Sequence, residues 1–227
     1  MVALTLWLLA AIETAAAEPP GYLSKSPAPC VACLADAQKA AAIFTADEWL
    51  RLERGRIVKH PGRRDANSDS LARAEAAAGL IPHAPERVWS VLTDFEKWPS
   101  FMPHITSTEI THRNGSRQWV RQIYSVLFME MQHTTIYRLD PGLGRLDWEL
   151  DLSQKRDIRS SRGNWELYAR DSGQSTLVRY IADIDAGRPV PGFVEKMLTG
   201  QSIGALFASL RGELDLRYGE PASPAGK

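Results

Sequence analysis

The chain has 227 residues, of which 44% are hydrophobic and 24% are charged, a globular composition far from that of intrinsic disorder. Lysine plus arginine equals aspartate plus glutamate at 27 each, so the formal net charge is zero. The most basic stretch, Arg51–Arg64, is too dilute for the concentrated positive footprint of a nucleic-acid-binding protein. We therefore expect no nucleic-acid partner.

The N-terminus has the pattern of an export signal. Val2–Ile12 is apolar, and Ala15 and Ala17 give the small-residue cleavage pattern of signal peptidase. The apolar run ends at Glu13, which is too short for a transmembrane helix. No lysine or arginine precedes the run, as it would in a typical signal peptide. The alternative for this segment is a hydrophobic first helix of the folded domain. We predict a signal peptide over residues 1–17 and a periplasmic or secreted protein.

Cys30 and Cys33 form a single C-x-x-C motif. In an exported protein this spacing favours a short local disulfide. Leu34 stands where c-type haem attachment needs histidine, and a structural zinc site would need a second pair of ligands. We therefore predict no metal and no cofactor.

Residues 18–55 are predicted to form a linker followed by a short helical appendage. One helix fits Cys33–Phe44. Thr45 and Glu48 have the spacing of a capping box that starts a second helix, which Gly55 would end.

A regular pattern predicts a domain over residues 56–216. Arg56–Lys59 and Leu71–Ile81 are the first strand candidates. Pro85 occupies the favoured first position of a helix, and Asp94 is predicted to cap a second short helix.

A meander of strands follows, separated by turn residues such as Asn114-Gly115. The predicted strands are Ile105–His112, Gln118–Phe128, Met131–Leu139, Leu146–Leu152, Ile158–Ala169 and Thr176–Ile184. A long helix is predicted from Pro189 to about Leu216, followed by a tail over 217–227. Its small residues would either leave room for a cavity or permit close packing on the sheet; they are Gly200, Gly204, Ala205 and Ala208.

The segment Ala84–Pro103, APERVWSVLTDFEKWPSFMP, resembles the signature motif of the START-like (SRPBCC) superfamily, in its polyketide cyclase and coenzyme-Q-binding branch. Gly163-Asn164-Trp165 and Thr176–Tyr180 resemble later strands of the same family. The similarity covers about residues 70–216.

The resemblance implies an α+β helix-grip fold. A curved antiparallel sheet of about seven strands would wrap around a long C-terminal helix, with two short helices near its start and an apolar cavity inside. Members bind lipids, sterols, isoprenoid quinones or polyketides, and some catalyse cyclisation or dehydration.

Candidate site residues follow from strand alternation. His133 and Tyr137 share one face of their strand, so they are weak candidates for general acid–base catalysis; the alternative for His133 is a hydrogen-bonded core histidine. Some of the predicted ligand contacts are expected to pack in the core and not to line a cavity. These contacts are Trp119, Tyr124, Phe128, Met131, Trp148, Trp165, Phe193 and Met197.

Two functions are consistent with these features. The first is an exported binder or carrier of a lipid, isoprenoid quinone or sterol-like molecule, in transient contact with a membrane. The second is a cyclase or dehydratase acting on a hydrophobic polyketide-like substrate. The sequence has no compact catalytic constellation, which favours binding. A filled interior would instead indicate a protein-interaction module.

Overall fold

A computed structural model describes residues 44–61, 75–126, 129–187 and 201–220. The predictions for the signal peptide, the two cysteines and the helix over Cys33–Phe44 lie outside these residues. The helices are α1 (Ala46–Glu53), α2 (Pro85–Leu92), α3 (Trp98–Phe101) and α4 (Gln201–Tyr218). The strands are β1 (Val58–Pro61), β2 (Glu75–Ile81), β3 (Ile105–Asn114), β4 (Arg117–Val126), β5 (Met129–Asp140), β6 (Arg145–Leu150), β7 (Ser160–Arg170) and β8 (Ser175–Asp185).

The strands form one antiparallel sheet of eight strands in the order β1-β2-β8-β7-β6-β5-β4-β3. Strands β3 to β8 follow one another as a meander, and β2 pairs with β8. Helix α4 lies on the inner face together with α2 and α3. The predicted α+β helix-grip fold is confirmed, with β1 as an additional edge strand.

Turn chemistry and side-chain alternation explain the meander. Gly115 has φ of +56° between β3 and β4, a conformation that glycine adopts without a steric penalty. On β6, Leu146, Trp148 and Leu150 are buried. Leu152, predicted to extend this strand, lies beyond its end and is 63% exposed.

Helix α2 begins at Pro85 and buries Val88 and Leu92 against the core. The predicted cap at Asp94 is wrong, because its side chain makes no capping hydrogen bond. Its carboxylate instead accepts a hydrogen bond from Arg217 Nη1 on α4 at 2.8 Å. Tertiary pairing with a cation has taken the place of a local contact.

Helix α4 contacts the sheet through large side chains. Ile203, Phe207, Leu210 and Leu214 are buried on its inner face. Gly204, Ala205 and Ala208 are exposed on the opposite face. Both interpretations of these small residues are therefore wrong, since they neither border the cavity nor approach the sheet; Gly200 lies outside the described residues.

Helix α1 covers part of the outer face of the sheet. Its capping box is present, with Thr45 N donating to Glu48 Oε2 at 2.8 Å and Glu48 N donating to Thr45 Oγ1 at 3.3 Å. Leu52 is fully buried and forms a second hydrophobic cluster with Val58, Ala78 and Leu177. The last helix of the predicted appendage is thus packed onto the sheet.

Polar contacts fix the second half of α4. His83 is 2% exposed, and its Nε2 lies 2.7 Å from Asp215 Oδ1. Arg211 Nη2 donates to Leu80 O at 2.8 Å. These contacts hold the helix above the sheet and define the space below it. Within the described ranges, no helix is long and apolar enough to cross a membrane.

Candidate functional site

A cavity of about 160 Å³ lies between the inner face of the sheet and helices α3 and α4. It is bounded by Met102 after α3, by Ile105 at the start of β3, by Ile184 on β8, and by Ile203 and Leu206 on α4. This volume is several times that of one water molecule, which occupies about 30 Å³ in the liquid. The side chains of the described residues therefore leave the interior unfilled, which weakens the support for an interaction module without a ligand.

One wall of the cavity is a polar strip on β4 and β5, formed by Gln122, Tyr124, His133, Thr135 and Tyr137. Alternate residues of a strand point to the same face, so each strand contributes every second side chain. The register places Gln122 opposite His133, which brings the two strands' contributions together.

Gln122 connects the deepest side chains of the polar strip. Gln122 and Thr135 are each 1% exposed. Thr135 Oγ1 donates to Gln122 Oε1 at 3.0 Å, and Gln122 Nε2 donates to Tyr137 Oη at 3.2 Å. Phe95 and Trp98 pack on the Tyr137 ring with centroids 4.5 and 5.6 Å away. The tyrosine ring and its hydroxyl oxygen are therefore held in one position.

Tyr124 and His133 form the second part of the strip. Their rings are stacked, with centroids 5.2 Å apart and planes at 12°. Burial lowers the pKa of His133 to about 4, and the nearby Asp157 opposes that shift only in part. Burial raises the pKa values of Tyr124 and Tyr137. At neutral pH the imidazole is uncharged and both phenols keep their protons.

The neighbouring part of the cavity, on β6 to β8, is aromatic. The Tyr180 ring stacks on Trp148, with centroids 5.4 Å apart, and also contacts Trp165 at 4.6 Å. Trp148 Nε1 donates to Ser161 Oγ at 3.3 Å, which satisfies the buried indole. Gly163 makes room for this ring, because an added Cβ would lie 2.3 Å from Trp148 Cζ2. An apolar, aromatic surface thus adjoins the polar strip, because the strand register pairs Trp148 with Tyr137.

Six of the predicted site residues border the cavity: Tyr124, Met131, His133, Tyr137, Trp148 and Trp165. Trp119 instead lies on the outer face, edge to face with His112 at 4.9 Å. Trp119 and Tyr124 are five positions apart on a strand of alternating faces, so they cannot share one face of a regular strand. Phe128, Phe193 and Met197 lie outside the described residues.

The sequence reasoning missed Gln122, Thr135 and Ser161. Gln122 could have been found from Tyr124, since the two residues share the parity of a single strand. Thr135 lies between His133 and Tyr137 on the same face. The place of Ser161 in the site could be known only from the pairing of β6 with β7, which brings it beside Trp148.

A family model described as polyketide cyclase/dehydrase and lipid transport matches residues 81–211, more than half of the chain. The chain belongs to this family. The START-like resemblance carried by Ala84–Pro103 is therefore confirmed. The family includes both lipid transport and cyclase or dehydrase roles, and no curated protein matches this START-like chain significantly.

Several solved structures share the fold. The STAR-related lipid transfer protein of Xanthomonas axonopodis aligns with a TM-score of 0.57 at 18% identity, over 70% of this chain and 93% of its own. A START superfamily protein of Mycobacterium smegmatis aligns with a TM-score of 0.54 at 21% identity, over 63% of this chain and 98% of its own. The Zhui aromatase/cyclase of Streptomyces sp. R1128 aligns with a TM-score of 0.53 at 19% identity, over 71% of this chain and 94% of its own. At these identities the similarity establishes the fold alone.

The chemistry available in the cavity is hydrogen bonding inside an aromatic enclosure. General acid–base catalysis is most efficient when the pKa of the group is near the working pH. The pKa values of His133 and Tyr137 are both displaced away from neutrality. Over the described part of the chain, no cluster of three His, Cys, Asp or Glu residues could hold a metal ion.

Proposed function

We propose that this START-like protein binds a hydrophobic small molecule that carries a polar group, and acts as its carrier. The observation that supports the proposal is the division of the cavity into an aromatic wall and a polar strip. Sites for small molecules are typically apolar with a few placed polar groups. The ligand's hydrocarbon part would face Trp148 and Trp165, and its polar group would face β4 and β5.

Unsatisfied polar atoms along the strip support a bound partner. His133 Nδ1 is buried with no hydrogen-bond partner among the described residues, and the half-buried Tyr124 borders the same cavity. A buried polar group without a partner costs about 1–3 kcal/mol, so native proteins usually supply one. A ligand oxygen near Tyr124 would recover part of this free energy.

Apolar burial would supply most of the affinity. Removing about 200 Å² of ligand hydrocarbon from water at about 25 cal/mol per Å² contributes about 5 kcal/mol before the costs of association. This mode of binding suits a lipid, an isoprenoid quinone or a sterol-like molecule. The pattern of residues 1–17 supports an exported carrier that meets a membrane transiently to load and release its ligand.

The decisive experiment is native mass spectrometry, followed by extraction, of the protein purified from its own host. We expect a stoichiometric hydrophobic compound to be retained. The matched variants are Ala182→Leu, which fills the cavity, and Ala205→Leu, on the exposed face of α4. The first should lose the compound and the second should keep it. A folded wild-type protein that retains no compound and binds no added lipid would contradict the proposal.

A cyclase or dehydratase acting on a polyketide-like substrate is the second candidate. It is favoured by the presence of His133 and Tyr137 in one cavity. The lowered pKa of His133 weakens it, because an imidazole with a pKa of about 4 is a poor base and is not a proton donor at pH 7. Conversion of a bound polyketide-like substrate that is abolished by His133→Phe would establish this candidate.

A further inference from the structure

The direction of the hydrogen bonds within the polar strip determines what Tyr137 can offer a ligand. The hydroxyl proton of Thr135 is directed to Gln122 Oε1 at 3.0 Å, so that oxygen already has a donor. The Gln122 amide nitrogen, which can only donate, then points to Tyr137 Oη at 3.2 Å. Tyr137 therefore accepts a hydrogen bond from the protein.

The proton of Tyr137 has no good acceptor on the protein side. Its alternatives within the described residues are Gln122 Oε1 at 3.4 Å, which is long for a bond between a hydroxyl and an oxygen, and the Thr135 hydroxyl, whose own proton is directed to Gln122. The Tyr137 ring cannot turn away, because Phe95 and Trp98 pack on it. The hydroxyl proton is thus free to point into the cavity that Tyr137 borders.

Tyr124 adds a second hydroxyl on the same wall of the cavity. Both phenols remain protonated at neutral pH, so each can donate. A carbonyl oxygen has two lone pairs and can accept from both. A hydrocarbon would offer these hydroxyls no acceptor.

We propose that Tyr137, oriented by the Thr135–Gln122 pair, donates a hydrogen bond to a ligand carbonyl and so selects carbonyl compounds among hydrophobic molecules of similar shape. This inference rests on the proposed binding function and names the ligand class for it. Thr135 acts only through Gln122 and is a positioning residue. Its hydroxyl is what keeps the Gln122 oxygen turned away from Tyr137.

The test compares two probes of nearly equal shape, 2-acetylnaphthalene and 2-ethylnaphthalene, by calorimetric titration of the full chain. We expect Tyr137→Phe to weaken binding of the ketone about 10-fold, which corresponds to the loss of one hydrogen bond, and to leave binding of the hydrocarbon unchanged. Thr135→Val should reduce ketone binding in the same selective way. Unchanged hydrocarbon binding also shows that each variant is folded.

The matched control is Tyr168→Phe, which removes a phenol hydroxyl outside the cavity that donates to Glu166 Oε2 at 2.7 Å. It should alter the binding of neither probe. The carbonyl stretch of bound ketone should lie at lower frequency in the wild type than in Tyr137→Phe. Equal effects of Tyr137→Phe on both probes would overturn the carbonyl assignment, while the proposed binding function would still stand. Failure of a folded wild type to bind either probe would overturn the carbonyl assignment, and it would overturn the binding function as well if the protein also retains no compound from its host and binds no added lipid.

Discussion

The environment of His133 makes this residue costly to protonate. The imidazole is 7% exposed, and its Nδ1 has no hydrogen-bond partner among the described residues. Burial favours the neutral form and lowers its pKa to about 4 in the folded protein, below the ordinary value of 6.5. The uncharged ring can stack on Tyr124, and this contact completes one side of the cavity.

The stability of the protein should therefore depend on pH through His133. Between about pH 6.5 and pH 4 the unfolded chain binds the proton and the folded protein does not, so the free energy of unfolding falls as the pH is lowered. From pH 8 to pH 5 the wild type should lose about 2 kcal/mol more than His133→Phe. Urea unfolding at both pH values measures this difference. Parallel losses in the two proteins would contradict it.

Gly163 is a second residue on which the cavity depends. An added Cβ would lie 2.1 Å from Ile181 O and 2.3 Å from Trp148 Cζ2, both too close for a real contact. We expect Gly163→Ala to reduce the free energy of unfolding by roughly 1–3 kcal/mol and to displace Trp148. Thermal unfolding and ligand binding would measure the two effects.

The matched control for Gly163 is Gly204→Ala on α4, where an added Cβ meets nothing within 4 Å. Alanine is favoured over glycine inside a helix, so this variant should be more stable by roughly 0.5–1 kcal/mol. A neutral Gly163→Ala would show that β6 and β7 can separate at this point. Close packing of Trp148 would then not be the reason for glycine at position 163.

At the scale of elements, α1 is joined to the domain by its apolar face. Leu52 is fully buried against β2 and β8, and Trp49 packs on the same cluster. Arg170 lies over the Trp49 ring at 4.6 Å, a cation–π contact between helix and sheet. Part of the outer face of the sheet is therefore covered by a segment that the sequence analysis assigned to an appendage.

Two leucines of α1 test this packing. Leu52→Ala should cost about 2–5 kcal/mol, because it removes fully buried methyl groups and leaves a cavity. Leu50, on the same helix, is 49% exposed, and Leu50→Ala should change stability by no more than about 0.5 kcal/mol. Chemical denaturation of both variants is the measurement. A small effect of Leu52→Ala would mean that α1 detaches at little cost.

At the scale of the whole molecule, the cavity divides the core. The sheet and α4 meet through Phe207, Leu210 and Leu214, while Ile203 borders the open space near the described start of the helix. Arg217 and Asp215 fix the closed half of α4 through Asp94 and His83. The cavity lies at the other end of the described helix, beside Ile203 and Leu206.

Ligand removal should consequently lower the stability of the whole protein. A ligand at about 100 times its dissociation constant stabilises the folded state by about 2.7 kcal/mol. Protein stripped by extraction under denaturing conditions and refolded should melt several degrees below protein purified with its ligand, and the addition of 2-acetylnaphthalene should recover part of the loss. Calorimetry would measure both shifts. Identical melting with and without ligand would contradict occupation of the cavity.

The sequence alone determined the fold and about half of the candidate site. The motif Ala84–Pro103 identified the superfamily, and turn residues with alternating strands predicted the meander because these signals act between residues close in the chain. Alternation along β5 brought His133 and Tyr137 to one face, as the structure shows. The same rule, applied to β4, would have separated Trp119 from Tyr124.

Only the tertiary structure decided the contacts that give the cavity its chemistry. The pairing of β4 with β5 places Gln122 beside Thr135 and Tyr137, and the packing of α4 turns Gly204 to solvent. The contact of α1 with the sheet and the pairing of Asp94 with Arg217 join residues more than a hundred positions apart. Their physical reason is burial and charge pairing between distant elements, which the periodicity of a single segment does not record.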